Sequence, residues 1–475
     1  MRGPGIDVGS GDGDTIHLIG IGGEGMSGLA RLLWEMGYRV SGSEIRWGRK
    51  AAELALLGIK VWLGHREENL TLAGARAVVF SSAIPPENVE LAAARELGLP
   101  VIPRLEMLAR LMEGRFSIGV AGTHGKSTTT AMLAYLLERG GREPAFLVGA
   151  SSPALGGNAR LGRGRYLVAE IDESDGRFVH LRPDLGVITN ISADHLNTYG
   201  SEEALYLAFQ RFARGCGQLI LNSDDPQSAR LLEQLEAERG QEQGRGREGE
   251  RVLRFGIDRA EEADLAARRI AYHELHTEFE LVFRGRRAGR VELPAPGKHN
   301  VYNALAALLA GWAVGLDFPQ MAGALREFAL PERRFQVLRQ DGITVVDDYA
   351  HLPEEIEANL AAIRRGWRPR RVIAIFQPHR FTRVKYINGQ FAHSFDLADM
   401  VIVTDIYPAF EAPIPGVEAA QIVRSLEQRG KCSVSYIPDK GEIIRFLLEH
   451  LQPGDFIIGF GAGDIWQVTR RLAEL

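Results

Sequence analysis

The sequence predicts an α/β protein of several domains, each built on a mostly parallel sheet. Three observations carry that expectation. Strands and helices alternate with a short period along the chain. Two strand-to-helix junctions are rich in glycine, the usual setting for a bound phosphate. A length of 475 residues exceeds what one hydrophobic core serves. The hydrophobic share of 45% and charged share of 25% are ordinary for a globular chain. A formal net charge of −5 gives no electrostatic reason to expect nucleic acid or an anionic membrane as partner. Cys216 and Cys432 are too few for a disulfide framework and lack zinc-ligand spacing. The opening "MRGPGIDVGSGDGD" has no apolar core of signal-peptide length, and no apolar run is long enough to span a bilayer. A cytoplasmic location is therefore expected.

In the first block, "TIHLIGIGG", "YRVSGSE", "AVVFSSA" and "PVIP" read as strands, separated by helices such as "GMSGLARLLWEMG". It closes near "RLEMLARLMEG". Gly20, Gly22 and Gly25 of "GIGGEG" satisfy G-x-G-x-x-G after a strand, and Glu44 ends the next strand where a ribose-binding acid would stand. The same geometry grips a nicotinamide dinucleotide or any other diphosphate, so this block alone leaves the ligand open.

The second block opens on "RFSIGV", a buried strand, and "GTHGKSTTTAMLAYLLERGG", a helix that ends at Gly-Gly. Gly122 and Gly125 let the backbone approach an anion, the helix N-terminus aims amides at it, Lys126 brings a mobile charge and Ser127 a hydroxyl for Mg2+. The spacing departs from G-x-x-x-x-G-K-[ST], because Val120 stands five residues before Gly125. "YLVAEIDESDGRF" then brings Glu170, Asp172, Glu173 and Asp175 to a strand end, and "GVITNISADHLNTYG" places Asn190, Asp194 and His195 beyond another. In a parallel sheet such strand ends open on one edge, where ligands bind. Carboxylate oxygen is what Mg2+ prefers; an imidazole is less usual.

Farther on, "QLILNSD" is another strand, and "EAERGQEQGRGREGER" (236–251) reads as an exposed, charge-rich insertion. "ARRIAYHELHTEFELVFRGRRAGRVELPA" reads as antiparallel strands with turns, followed by the helical "HNVYNALAALLAGWAVG". A third block starts near "RRFQVLRQDGITVVDDYA" and repeats the strand-helix rhythm through "RVIAIFQPH", "MVIVTDIYP" and "DFIIGFGAG". The expected domains are 1–113, 114–330 and 331–475.

"GIGGEGMSGLA", "GTHGKSTTT", "AEIDESDGRF", "TNISADHL", "GKHNVYNALAA", "RRFQ", "DDYAH", "FQPHRFTR" and "GAGDI" occur in the order seen in the Mur ligases. From about residue 15 to the end the chain resembles that family, and within it the ligase that joins L-alanine to UDP-N-acetylmuramate. The resemblance implies three domains: a Rossmann-like one for the UDP-sugar, a P-loop-type central ATPase, and a Rossmann-like one for the amino acid. It implies ATP and Mg2+ as cofactors, peptidoglycan precursor synthesis as the role, and a monomer or weak homodimer.

The resemblance also implies residue roles. Gly122, Thr123, His124, Gly125, Lys126, Ser127 and Thr128 would hold the ATP phosphates, with His299, Asn300 and Asn303 near the adenine. Ser127 and Glu170 would hold one Mg2+, His195 would help hold a second, and Asn190 would lie near the phosphates. Arg333 and Arg334 match interdomain arginines, with Arg334 on the ATP side. Gly20, Gly22, Gly23, Gly25, Ser43, His65, Ser81 and Ser82 would receive the UDP-sugar. Asp348, Tyr349 and His351 match the amino-acid-binding strand end, and Arg380 and Arg383 are suited to a carboxylate, since a guanidinium forks onto both oxygens.

Three positions depart from the family pattern: Leu352, where a second histidine is usual, Asn197 for an aspartate, and Glu24 for a small residue. They leave the reaction type intact and bear on amino-acid preference. A sister Mur-type ligase taking another amino acid or a recycled peptide, an NAD-dependent dehydrogenase, and an inactive UDP-sugar-binding regulator are the alternatives.

Overall fold

The computed structural model describes residues 14–241 and 252–475. Both the opening glycine-rich segment and most of the 236–251 insertion lie outside the described residues. The insertion's first residues continue the helix Pro226–Gln241. Among the described residues no helix is long and apolar enough to cross a membrane.

Packing divides the chain into two compact units. One holds the residues through Ile191 together with Tyr206–Arg254 and Ala306–Asp317; the other holds Ser192–Leu205, Phe255–Leu305 and Phe318–Leu475.

The first unit begins with β1 (Thr15–Ile19), β2 (Arg39–Glu44), β3 (Lys60–Leu63), β4 (Ala75–Phe80) and β5 (Val101–Pro103), an all-parallel sheet in the order β3-β2-β1-β4-β5. Strand order reverses at β1, so "GIGGEG" leaves the sheet at the crevice where α/β proteins take ligands. The apolar faces of β1 and β4 are fully buried, as a strand covered on both sides requires.

β6 (Phe116–Ala121), β7 (Ala145–Ser152), β8 (Gly157–Arg160), β9 (Tyr166–Glu170), β10 (Leu185–Ile188) and β11 (Gln218–Asn222) follow in the same unit. Parallel neighbours flank β6 on both sides: Val120 is in register with Glu170 of β9, and Ala121 with Ile188 of β10. The helix Lys126–Arg139 starts directly after the loop that β6 feeds, with Gly125 left-handed (φ 80°) at its cap. That register delivers the acids after β9 and the Thr189-Asn190 pair after β10 to the same edge as the loop.

In the second unit, the end of β12 (Val252–Gly256) runs parallel to β13 (Leu265–His273), and β14 (His276–Phe283) and β15 (Arg286–Leu293) complete an antiparallel meander. The last sheet, β16 (Gln336–Asp341), β17 (Ile343–Asp348), β18 (Arg371–Phe376), β19 (Met400–Val403), β20 (Ser433–Tyr436) and β21 (Asp455–Phe460), has the order β16-β17-β21-β18-β19-β20. It is parallel except for the hairpin β16–β17. Alternate residues feed two cores: Val346, Ala374 and Ile458 one face, Val345, Ile373 and Ile457 the other.

Leu352 is 2% exposed and belongs to the first of those cores with Ile356, Leu360 and Ile363. It is the N-cap of the helix Pro353–Gly366, and Pro353 takes the first helical position, where its fixed φ suits the start. The family's histidine position is here a packing position.

Candidate active site

The phosphate loop is held open by its own backbone geometry. Gly122 has φ +130°, and a Cβ there would lie 2.1 Å from Thr189 Oγ1 and 3.0 Å from the Asn190 carbonyl. Only glycine fits, because a side chain meets both a forbidden conformation and a wall. Residues 189 and 190 clasp the loop. Asn190 Oδ1 accepts from the His124 amide at 2.9 Å, its Nδ2 donates to the His124 carbonyl at 3.1 Å, and its own carbonyl accepts from the Thr123 amide at 3.0 Å. Thr189 Oγ1 donates to the His124 carbonyl at 2.6 Å. Asn190 thus fixes the loop itself, a tighter task than proximity to a phosphate.

Lys126 Nζ donates to the carbonyls of Gly122 at 2.6 Å and Thr123 at 3.1 Å, and pairs with Glu173 Oε1 at 2.9 Å. Burial works against its charge, but Glu173, Glu170 and Asp172 outweigh burial and hold Lys126 above its usual value. Burial pushes Glu173 up to about 7 against the pull of Lys126. Glu170 Oε2 accepts from the Gly149 amide at 2.6 Å, and Asp172 pairs with Arg104 at 2.8 Å. Ser127 and Thr128 lie buried in the first helical turn. A glycine cradle that a Cβ would fill, a charged lysine and three carboxylates fit a nucleoside triphosphate with Mg2+.

The first glycine loop is equally close-built. Gly22 donates its amide to Glu44 Oε2 at 2.9 Å, so this carboxylate braces the loop. Gly20 is left-handed, Gly23 caps the helix Glu24–Glu35, and a Cβ on Gly25 would lie 2.7 Å from an Arg104 nitrogen. Ser81 and Ser82 follow β4 on the accessible side.

Beside β2 lies a network that sequence reasoning missed. Glu90 is fully buried; its carboxylate accepts from Ser43 Oγ, from Asn69 Nδ2 at 2.6 Å and from the Arg66 amide at 3.3 Å. His65 Nδ1 is 2.8 Å from Ser43 Oγ and 3.3 Å from Glu90, and His17 Nε2 is 3.7 Å from Glu90. Ser43 and His65 are therefore positioned by a buried carboxylate 47 residues from Ser43, a separation no local pattern reveals.

In the second unit His195, left-handed at φ 54°, sits beside Asp194 (3.3 Å) at the cap of the short helix Leu196–Tyr199. Arg383 forks onto Asp194 through Nε (3.2 Å) and Nη2 (3.1 Å). Burial opposes ionisation of Asp194, but Arg383, His195 and His351 hold it well below the usual carboxylate range. Arg383 Nη1 lies 3.0 Å from His379 Nδ1, and His379 stacks on Tyr407 and meets His351 edge-on. Burial and Arg383 lower His351 to about 4; burial, His351 and Arg383 lower His379 to about 2. Both rings are neutral at pH 7. His351 Nδ1 faces the Tyr349 carbonyl at 2.9 Å, which assigns its proton there and leaves Nε2 as an acceptor.

Arg380, left-handed at φ 68°, has a buried Nε with no hydrogen-bond partner among the described residues. With Asp194, His195, Asn197 and Arg383 it lines a small, open pocket. An unpartnered buried guanidinium nitrogen is costly unless a ligand satisfies it. His379 and Tyr407 were missed by sequence reasoning, although His379 lies inside "FQPHRFTR".

Arg333 is spent internally, on Asp347 at 2.9 Å and on the carbonyls of Gly461 and Gly463. Arg334 lies over the Tyr349 ring and pulls on Asp348, which burial raises to about 6. Asn300 Nδ2 donates to the Pro296 carbonyl at 2.8 Å and lies 3.1 Å from His299 Nε2, and Asn303 donates to Asn300. This motif lies at the start of the helix Lys298–Ala313.

Glycine-braced strand ends, a lysine among carboxylates and parallel sheets make this an α/β protein of the kind whose strand ends suit a nucleotide phosphate. Comparison with known proteins makes that specific. Residues 15–116 match the Mur ligase family, catalytic domain; 120–311 the Mur ligase middle domain; and 333–463 the Mur ligase, glutamate ligase domain. The chain is 43% identical over 470 residues to a UDP-N-acetylmuramate–L-alanine ligase of Pelotomaculum thermopropionicum, covering 97% of this chain and 98% of the relative. It is 42% identical over 464 residues to the ligase of the same name from Syntrophotalea carbinolica, with 97% of each covered. The crystal structure of UDP-N-acetylmuramate-alanine ligase from Thermotoga maritima aligns with TM-score 0.80 and 29% identity over 97% of this chain and 98% of that one. The chain belongs to the Mur ligase family and has its three-domain α/β architecture.

The buried Glu90 makes a pH prediction. Its folded value lies below the ordinary 4.5, because His17, His65 and Ser43 outweigh burial. A depressed carboxylate contributes stability that is complete above the unfolded value and is lost as pH falls toward the folded one. Glu90→Gln should lower the melting temperature at pH 7 by several degrees, and the gap should narrow below about pH 4.5. Calorimetric melts of both proteins from pH 7 to pH 3 check this; a constant gap would contradict it.

Proposed function

We propose that the protein joins L-alanine to the lactyl carboxylate of UDP-N-acetylmuramate and converts ATP to ADP and phosphate, a cytoplasmic step of peptidoglycan precursor synthesis. The observation that carries this reading is Lys126, charged and largely buried among Glu170, Asp172 and Glu173 behind a loop only glycine can form. Family membership and the names of the full-length relatives support the substrates.

A carboxylate is a poor electrophile, since oxide is a very poor leaving group. Attack of the carboxylate oxygen on the γ-phosphorus gives an acyl phosphate and ADP. The amine of alanine then attacks the carbonyl carbon and phosphate leaves. Phosphoryl transfer needs positioning and charge neutralisation more than covalent help. Lys126 would leave the loop carbonyls to meet the outer phosphates, Ser127 and Glu170 would hold Mg2+, and His195 would serve a second ion. When bound, Mg2+ neutralises charge on the transferring phosphoryl group. Residues 1–113 take the UDP-sugar through the first glycine loop, Ser43, His65, Ser81 and Ser82. Residues 114–330 take ATP, with His299, Asn300 and Asn303 on the adenine side and Arg334 nearby. Residues 331–475 take alanine. Neutral His351 accepts a hydrogen bond from the amine at Nε2, Tyr349 flanks it, and Arg380 forks onto the carboxylate while Arg383 stays on Asp194. Glu44, engaged by the Gly22 amide, is poorly placed to serve a dinucleotide ribose.

Lys126→Ala should lower turnover by about a thousandfold, the scale of losing a main charge at the transferring group. Nucleotide chromatography of the native reaction should give ADP, and AMP would rule the reading out. Arg380→Lys should raise the alanine KM by about tenfold or more, since an ammonium cannot fork onto a carboxylate. Leu352→Met, a volume-conserving change in a core, should alter that KM by less than about threefold. Steady-state kinetics with alanine, glycine and serine test both; an Arg380→Lys variant with unchanged KM would remove the assignment.

A further inference from the structure

Besides the residues already described, one more set of side chains converges. Single ligand atoms of His273, His276 and Glu278 lie within 4.8 Å of one another. The backbone dictates the meeting. β13 and β14 are joined by the two-residue turn Glu274-Leu275, and His273 is directly opposite His276. Strand periodicity then puts Glu278 on the same face as His276. The other face carries Thr277, Phe279 and Leu281, all buried, so a slip of register would expose the core.

The three candidate ligand atoms come from two imidazoles and one carboxylate. The two imidazoles stack with centroids 4.6 Å apart and planes at 21°. One oxygen of Glu278 pairs with Arg290, while Oε1 faces His276 Nε2 at 4.0 Å. Glu292 on β15 stands directly opposite Glu278 and pairs with Arg326 at 3.5 Å. The hairpin tip is anchored: Glu274 accepts from Gln340 at 2.8 Å, and Arg365 lies over the Tyr272 ring.

We propose that this outward face of the hairpin binds a Zn2+-type transition-metal ion through His273, His276 and Glu278, with water in the fourth position. Imidazole-rich sites suit Zn2+ and its neighbours, whereas Mg2+ takes oxygen ligands, so this ion is distinct from those at the phosphate loop. Zn–N bonds of about 2.0–2.1 Å place tetrahedral ligand atoms about 3.3 Å apart. The present spread closes by about 1.5 Å, within reach of side-chain rotation on an accessible face. The metal would tie β13 to β14 at their turn, a structural role.

The test uses the full chain, stripped by chelator and kept in excess Mg2+, titrated with Co2+ as the probe. One equivalent per chain should develop the visible absorption of a tetrahedral site, and Zn2+ but not added Mg2+ should displace it. His273→Ala and His276→Ala should each weaken binding by at least about tenfold. Circular dichroism should show both folded, because neither ring is in a core, and phosphate release in Mg2+ should stay within about twofold of the native enzyme. Absence of saturable Co2+ binding, or binding by both variants as tight as the native chain's, would overturn the proposal.

Discussion

The candidate site depends on one steric constraint: the Gly122 backbone lies against Thr189 at φ +130°, with no space for a Cβ. That contact sets where the loop turns, and Asn190 locks the turn by bonding both sides of the His124 peptide. The amides of the following helix are thereby aimed before any ligand arrives. Preorganised dipoles of this kind cost no rearrangement during reaction, which is what makes them effective against charge. The arrangement leaves Lys126 folded onto carbonyls and Glu173, a position from which it can be drawn outward by a stronger anion.

The second unit follows a different electrostatic logic. His351 and His379 are kept neutral by burial first, with Arg383 adding to it, while the same Arg383 helps keep Asp194 ionised against burial. One guanidinium thus contributes to three protonation states. Arg380 retains a buried donor without a partner among the described residues, a cost that the proposed substrate carboxylate would offset. A deep apolar core beneath, which includes Leu352, holds the strand end that presents these groups.

Much of this was legible in the sequence. The strands ending in "GIGGEG" and "GTHGKS" are runs of apolar residues followed by glycine, and the helix-breaking and helix-starting residues mark the junctions directly. The antiparallel strands of residues 265–293 were evident from their alternation and turns. What was hidden is what depends on long-range pairing. Nothing local announces that Glu90 anchors Ser43 and His65, that Arg383 holds Asp194, or that Arg333 turns inward to Asp347. The strand-end rule predicts which residues gather at an edge, but not which of them bond to one another. Likewise a leucine in place of a histidine looks like a lost ligand until its burial shows it as core.

In the proposed reaction a carboxylate oxygen becomes bonded to the γ-phosphorus. The most direct measurement follows that oxygen. UDP-N-acetylmuramate labelled with 18O in the lactyl carboxylate is turned over with ATP and alanine, and the released phosphate is analysed by mass spectrometry. Each phosphate released should carry one 18O atom, because the oxygen lost from the acyl phosphate leaves with it. Unlabelled phosphate, with all the 18O retained in the UDP-sugar product or found in water, would contradict it.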